Sequence, residues 1–197
     1  MPCEACWKGL DPREEIRAAL SQCGPFLIES FVLRVVLRDL GFFAALDEFV
    51  RAGGTLLCFN RASLVAIDAL KLPVRNAVAG VNRQEFFVGG SLLNIDVETT
   101  SRVMAGMPTR ASVFYDSGPV FETQEGFKGT VLARYQPQGS PLASGFLLGE
   151  KYLNGKAAAL DVELGEGHVV LLGFRPQWRG QPFGSFRMIF NALAMAK

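Results

Sequence analysis

The sequence predicts an α/β fold, a sheet with flanking helices, and three observations carry that prediction. The run Thr55-Leu56-Leu57-Cys58-Phe59 is short, apolar and partly β-branched, the pattern of a strand buried on both faces, typically in a parallel sheet. Apolar residues at helical spacing lie on either side of it. Near the C-terminus an alternating run, a glycine turn and a wholly apolar run precede a last helical stripe. Helix, glycine, buried strand, helix is the alternation from which α/β sheets are built.

Composition sets the outer limits. A chain of 197 residues suits one domain with a substantial core. With 49% hydrophobic and 20% charged residues it reads as globular rather than disordered. Twenty basic against nineteen acidic side chains leave a net charge of +1. That balance gives no field to draw the chain onto nucleic acid or an anionic membrane, so neither is expected as a partner. Phe26 to Leu37 is the most apolar stretch, but Glu29 and Arg34 interrupt it, and a bilayer span needs about 20 residues. Met1-Pro2-Cys3-Glu4 has neither a basic start nor an apolar run after it, so no signal peptide is expected. Where the protein resides is left open.

The elements follow in chain order. Asp11 to Leu20 has helical character, with Asp11 able to cap, Pro12 suited to the first turn, and Glu14 and Glu15 at the positive end of the dipole. Phe42, Phe43, Leu46, Phe49 and Val50 recur at helical spacing, which predicts a helix over Gly41 to Arg51. Ala52-Gly53-Gly54 stops it, a glycine being free to take the left-handed capping geometry. After the buried strand, Asn60-Arg61-Ala62-Ser63 leads into a second helical stripe of Leu64, Ile67 and Leu70. Between Leu72 and Leu148 the pattern is less regular. Ser91 to Glu98 ends in period-two alternation and predicts a strand, while Pro108, Gly118-Pro119 and the stretch from Pro137 to Pro141 mark loops.

The last third is the clearest. Leu160, Val162 and Leu164 alternate with Asp161 and Glu163, which predicts a strand with one buried and one wet face. Gly165-Glu166-Gly167 turns the chain, and Val169 to Phe174 returns as an apolar strand, completing a β-hairpin. A closing helix begins near Gly184-Ser185 and places Phe186, Ile189, Phe190 and Leu193 on one face.

Candidate chemistry is sparse. The cysteines are Cys3, Cys6, Cys23 and Cys58. Cys3-x-x-Cys6 has a metal-like spacing, but structural zinc needs four ligands and His168 is the sole histidine, so no metal site is expected. Cys58 lies inside the apolar strand, where a thiol behaves as a small hydrophobe. His168 starts the returning strand, on a solvated turn and without an evident partner for a triad.

In open α/β sheets ligands bind at the carboxyl ends of strands, which here means Asn60, after Thr55 to Phe59, and Arg175, after Val169 to Phe174. These two strand ends resemble landmarks of class I glutamine amidotransferases, in which a buried strand ends at a nucleophilic cysteine and a later one ends in Phe-His-Pro-Glu. The resemblance implies a flavodoxin-like, class I glutamine amidotransferase-like sheet with flanking helices and a C-terminal β-hairpin plus helix. It places Asn60 at the nucleophile position and makes the later motif Phe174-Arg175-Pro176-Gln177. An amide is no such nucleophile, guanidinium stays protonated near neutral pH, and Gln177 has no charge to steady an imidazolium. The triad is degenerate at all three positions, so no catalytic residue and no cofactor is expected, and this chain is not expected to be an enzyme.

A second resemblance runs through the tail. Gly149-Glu150-Lys151-Tyr152-Leu153-Asn154-Gly155-Lys156-Ala157-Ala158, the block Gly165 to Gln177, Arg179-Gly180-Gln181-Pro182 and Phe190-Asn191-Ala192-Leu193 are similar to the C-terminal end of bacterial zinc carboxypeptidases of the carboxypeptidase A type. Gly53-Gly54-Thr55-Leu56, Leu72-Pro73-Val74-Arg75-Asn76 and Gly106-Met107-Pro108 extend the similarity. In that family an amidotransferase-like domain without a triad follows the zinc peptidase domain. The resemblance spans residues 44–197 and leaves residues 1–43, partly helical, as an unmatched segment. It implies a non-catalytic accessory domain for packing or recognition, a zinc carboxypeptidase domain as partner, and an N-terminal truncation, by fragmentation or a misplaced start. The oligomeric state is left open.

Two other functions compete with that one. Arg175, Trp178 and Arg179 cluster past a strand end, with Arg187 on the closing helix, and could form an anion- or small-ligand-binding module. The same arginines could instead pair with the domain's own acids while Trp178 fills a gap. The third is an enzyme using Cys58.

Overall fold

The computed structural model of the chain describes residues 26–28, 40–180 and 182–195. The helix expected over Asp11 to Leu20 lies outside these, as do Cys3, Cys6 and Cys23.

Strand β1 (Phe26–Ile28), helix α1 (Leu40–Arg51), strand β2 (Thr55–Phe59) and helix α2 (Ala62–Ala69) open the described chain. Short strands follow: β3 (Val74–Asn76), β4 (Phe87–Val88), β5 (Ser91–Val97), β6 (Arg110–Tyr115), β7 (Phe121–Thr123), β8 (Gly129–Arg134), β9 (Leu142–Ser144) and β10 (Leu147–Leu148). Then come the hairpin β11 (Ala157–Leu164) and β12 (Gly167–Leu172), and helix α3 (Phe186–Ala194). The expected strand at Thr55 to Phe59, the helix α1 and the C-terminal hairpin are all present, and the strand expected over Ser91 to Glu98 ends one residue sooner, at Val97. Gly53, at φ 103°, takes the conformation that glycine allows just past α1.

The main sheet runs β1-β2-β12-β11-β8-β5-β6, with β3, β7 and β9 paired alongside. β1 pairs with β2, and β2 with β12, in parallel, whereas β12-β11, β11-β8, β8-β5 and β5-β6 are antiparallel. The parallel, flavodoxin-like part is thus confined to one edge. A parallel connection needs a long crossover, usually a helix, and between Val74 and Leu164 the described chain has only 3-10 turns. Short loops leave successive strands antiparallel.

Alternation along β2 sends Leu56 and Cys58 to one face and Leu57 and Phe59 to the other. On the first, Phe42, Leu46 and Val50 of α1 and Ala62, Ala66 and Ile67 of α2 pack against Leu160, Val162, Val169 and Leu171. On the second, Met188 and Ala192 of α3 join Val103, Met104, Val170 and Leu172. All five residues of β2 are buried because helices cover both faces.

Three expectations need correction. β11 does not have a dry and a wet face: Ala157 to Val162 are all buried, Asp161 included, and Glu163 alone of the expected wet face is exposed. The strand lies inside the sheet, between β12 and β8, so its polar side is covered as well. In α3 the buried residues are Met188 and Ala192, with Ile189 and Met195 partly buried against them. Phe190, expected on the buried face, is 65% exposed. The returning strand also ends at Leu172 rather than Phe174: Gly173 still donates to the Ala158 carbonyl of β11, but by Arg175 the chain has turned to the Phe114 carbonyl of β6.

Candidate functional site

At the end of β2, Asn60 stands at φ 48°, a left-handed conformation that asparagine tolerates better than most residues. Its amide donates to the Leu172 carbonyl at 2.7 Å, and its own carbonyl accepts from Ser63 N at 3.1 Å. The Ser63 hydroxyl lies between the carbonyls of Cys58 (3.2 Å) and Leu172 (3.3 Å) and ties the first turn of α2 to β2 and β12. Strand, left-handed residue, helix is the sharp elbow expected at this position.

The elbow is roofed. Residues 116–120, which link β6 to β7, cross the ends of β2 and β12. A Cβ added to Gly118 would come within 1.9 Å of the Gly173 carbonyl oxygen, and one added to Gly173 within 2.3 Å of that of Pro119. Two backbones can approach so closely only where both residues lack side chains. Asn60 Nδ2 donates to the Asp116 carbonyl at 3.1 Å, the Tyr115 hydroxyl to the Gly118 carbonyl at 2.5 Å, and Val120 N to Asn76 Oδ1 at 3.0 Å. Ser117 is itself left-handed, at φ 51°. Asn60 is 3% exposed beneath this strap, and its Oδ1 is buried with no hydrogen-bond partner among the described residues.

Arg175 borders the same loop. Its amide donates to the Phe114 carbonyl at 2.9 Å. Its guanidinium lies 3.6 Å from Asp116 Oδ2, and its Cζ sits 4.7 Å from the centre of the Trp178 ring, which stacks on Phe114 at 5.9 Å. Asn60 and Arg175, 115 positions apart in sequence, therefore meet through Asp116. Gln177 is half-buried just beyond, and Arg179 follows in the 3-10 turn Trp178–Gly180. Arg187 is turned toward Gly106. The arrangement gives Arg175 an acid and an aromatic face of the domain itself, and nothing in it resembles a proton-transfer pair.

Two other candidates are placed clearly. Cys58 is fully buried, and burial pushes its thiol up to about 12, so near neutral pH it holds its proton. His168 does have a partner, contrary to expectation: its Nδ1 lies 3.0 Å from Asp161 Oδ1. In the hairpin register His168 faces Glu163, and Asp161 is the diagonal neighbour on the same side. That register was the signal that could have found the pair. Asp161 has its carboxyl raised above the usual range, first by burial, with His168 pulling the other way. Among the described residues no cluster of three or more His, Cys, Asp or Glu side chains could hold a metal ion, and no helix is long and apolar enough to cross a membrane.

Asp116 and its loop were missed by sequence reasoning beyond the Gly118-Pro119 break. A single acid in an irregular segment carries no periodic signal.

No family model and no curated protein matches the chain. Solved structures do. Cytoplasmic protein STM3548 from Salmonella typhimurium is 12% identical with a TM-score of 0.57, over 97% of this chain and 77% of that one. PurLQS from Thermotoga maritima is 13% identical with a TM-score of 0.52, over 82% of this chain and 70% of that one. A β-galactosidase from Bacillus circulans sp. alkalophilus is 14% identical with a TM-score of 0.50, over 79% of this chain. The chain spans only 20% of that β-galactosidase. Identities this low speak for the fold alone, and the fold is a mixed α/β sheet with flanking helices of the glutamine amidotransferase-like type.

Proposed function

We propose that this chain is a non-catalytic, amidotransferase-like domain that works through its surface, as an accessory domain to the peptidase domain of a zinc metallocarboxypeptidase. The observation that carries the non-catalytic part is Asn60: it occupies the elbow, buried under the 116–120 strap and donating to the Asp116 carbonyl. A nucleophile needs access to substrate and an adjacent base; this position has a roof and an arginine. The thiol of Cys58 offers no substitute, being buried and protonated. The carboxypeptidase part rests on the tail similarity at Gly149 to Ala158 and Gly165 to Gln177. The anion-binding alternative is weakened by the same strap, since the Asp116 carboxylate already lies 3.6 Å from the Arg175 guanidinium.

Ammonia release from glutamine tests the first part. None above buffer is expected from the chain or from Asn60→Cys, which restores a thiol but leaves Arg175 and Gln177; release by the unaltered chain would refute the proposal. The second part is tested at the locus. A zinc-binding His-x-x-Glu encoded upstream of Met1 or nearby is expected, and a locus with no zinc-peptidase coding sequence would remove the carboxypeptidase assignment.

A further inference from the structure

Helix α3 is apolar on two opposite sides. Only Arg187 and Asn191 are polar among its nine residues, and both turn toward the 3-10 turn Arg102–Met104. The Asn191 amide donates to the Val103 and Ala105 carbonyls at 2.9 Å each, and Arg187 lies against Gly106. Met188 and Ala192 face the sheet. About 180° around the helix lie Phe186, Phe190 and Leu193, and Phe183, in the 3-10 turn just before the helix, extends this stripe through its contact with Phe186. Phe183 is 75% and Phe190 65% exposed, with Phe186 half-buried edge-on against Phe183. A helix apolar on both sides is normally covered on both.

We infer that this stripe is the interface between two copies of the chain, α3 packing on its counterpart about a two-fold axis. The area fits a small dimer. At about 200 Å² for a whole side chain, the exposed parts of Phe183 and Phe190 amount to roughly 280 Å² per copy. With the partly buried Phe186 and Leu193, the pair of copies would bury on the order of 800 Å², the size of a weak, transient contact rather than of a permanent one. Charge does not oppose it. Each copy carries a net +1, α3 holds no acid, and its one cation is turned to the side of the seam. A two-fold interface needs a self-complementary patch, and a continuous aromatic seam provides one. The inference does not rest on the accessory-domain proposal.

Sedimentation equilibrium of the full chain tests it. Across about 1 to 200 μM, the range in which a contact of this size associates, the mass is expected to rise from 21.4 kDa toward twofold. Phe190→Glu, and separately Phe183→Glu, should hold it at 21.4 kDa with an unchanged far-ultraviolet circular dichroism spectrum. Phe146→Glu, on the other exposed aromatic pair with Phe87, should associate as the unaltered chain does. A chain that stays monomeric throughout overturns the inference. So does association that survives both α3 variants, or that Phe146→Glu abolishes.

Discussion

At the scale of single residues, the interior holds polar groups whose environments make opposite predictions. The Tyr135 hydroxyl is buried without a hydrogen-bond partner among the described residues. An unpaired hydroxyl has already lost its water, so Tyr135→Phe should stabilise the fold, by up to about 1 kcal/mol, or leave it unchanged; urea unfolding would measure it, and a clear loss would point to a missing partner. Asp161 is different. Its carboxyl is raised, so the folded state holds that proton more tightly than the unfolded chain, whose value is 3.8. The stability it contributes is complete below 3.8 and is lost as pH rises through the higher folded value. Asp161→Asn removes this dependence. Its stability relative to the unaltered chain should therefore improve as pH climbs from about 3.5 through that window, and a pH-independent difference would contradict the burial argument. The strap makes a third prediction: Gly118→Ala must displace backbone against Gly173 and should cost about 1–3 kcal/mol, read as a lowered urea midpoint.

At the scale of elements, what the sequence reveals depends on whether burial leaves a contrast. β2 was legible because both of its faces are covered, which forces five successive buried residues. The elbow was legible because a strand end followed by a helix leaves few places for it, and the left-handed Asn60 sits there. α3 was half legible. With seven apolar residues in nine, periodicity fixes a helix but cannot choose between two greasy sides, and the wrong one was expected inside. Asp161 misled for the complementary reason: a buried acid paired with His168 reads like a solvent-facing one until the hairpin register is known. A contrast of substitutions separates the two sides of α3. Met188→Ala, which empties a fully buried site, should cost about 2–5 kcal/mol. Phe190→Ala, measured in dilute solution, should change stability by no more than about 0.5 kcal/mol. Equal losses at both positions would mean that the helix is seated differently.

At the scale of the molecule, the order of the sheet makes its stability uneven. β12 lies between β2 and β11, paired on both edges and covered on both faces. To expose its amides the chain must separate the parallel part from the antiparallel part, which is close to global unfolding. The two-stranded β4-β10 sheet stands apart, two residues long in each strand, and bears the exposed Phe87, Phe146 and Leu148. An isolated two-stranded ribbon is marginal in water, and of its four residues only Val88, with Leu147 beside it, is tied into the main core. Amide hydrogen exchange should thus rank β12 and β2 slowest, at the free energy of global unfolding, and β4 and β10 fastest, by several kcal/mol. The strap offers the decisive case between them. Held by Asn60, Tyr115, Asn76 and Arg175, the amide of Val120 should exchange with the slow group although it lies in a loop. If it exchanged as fast as β4, the strap would be a lid rather than a roof, and the elbow beneath it would be open to ligands.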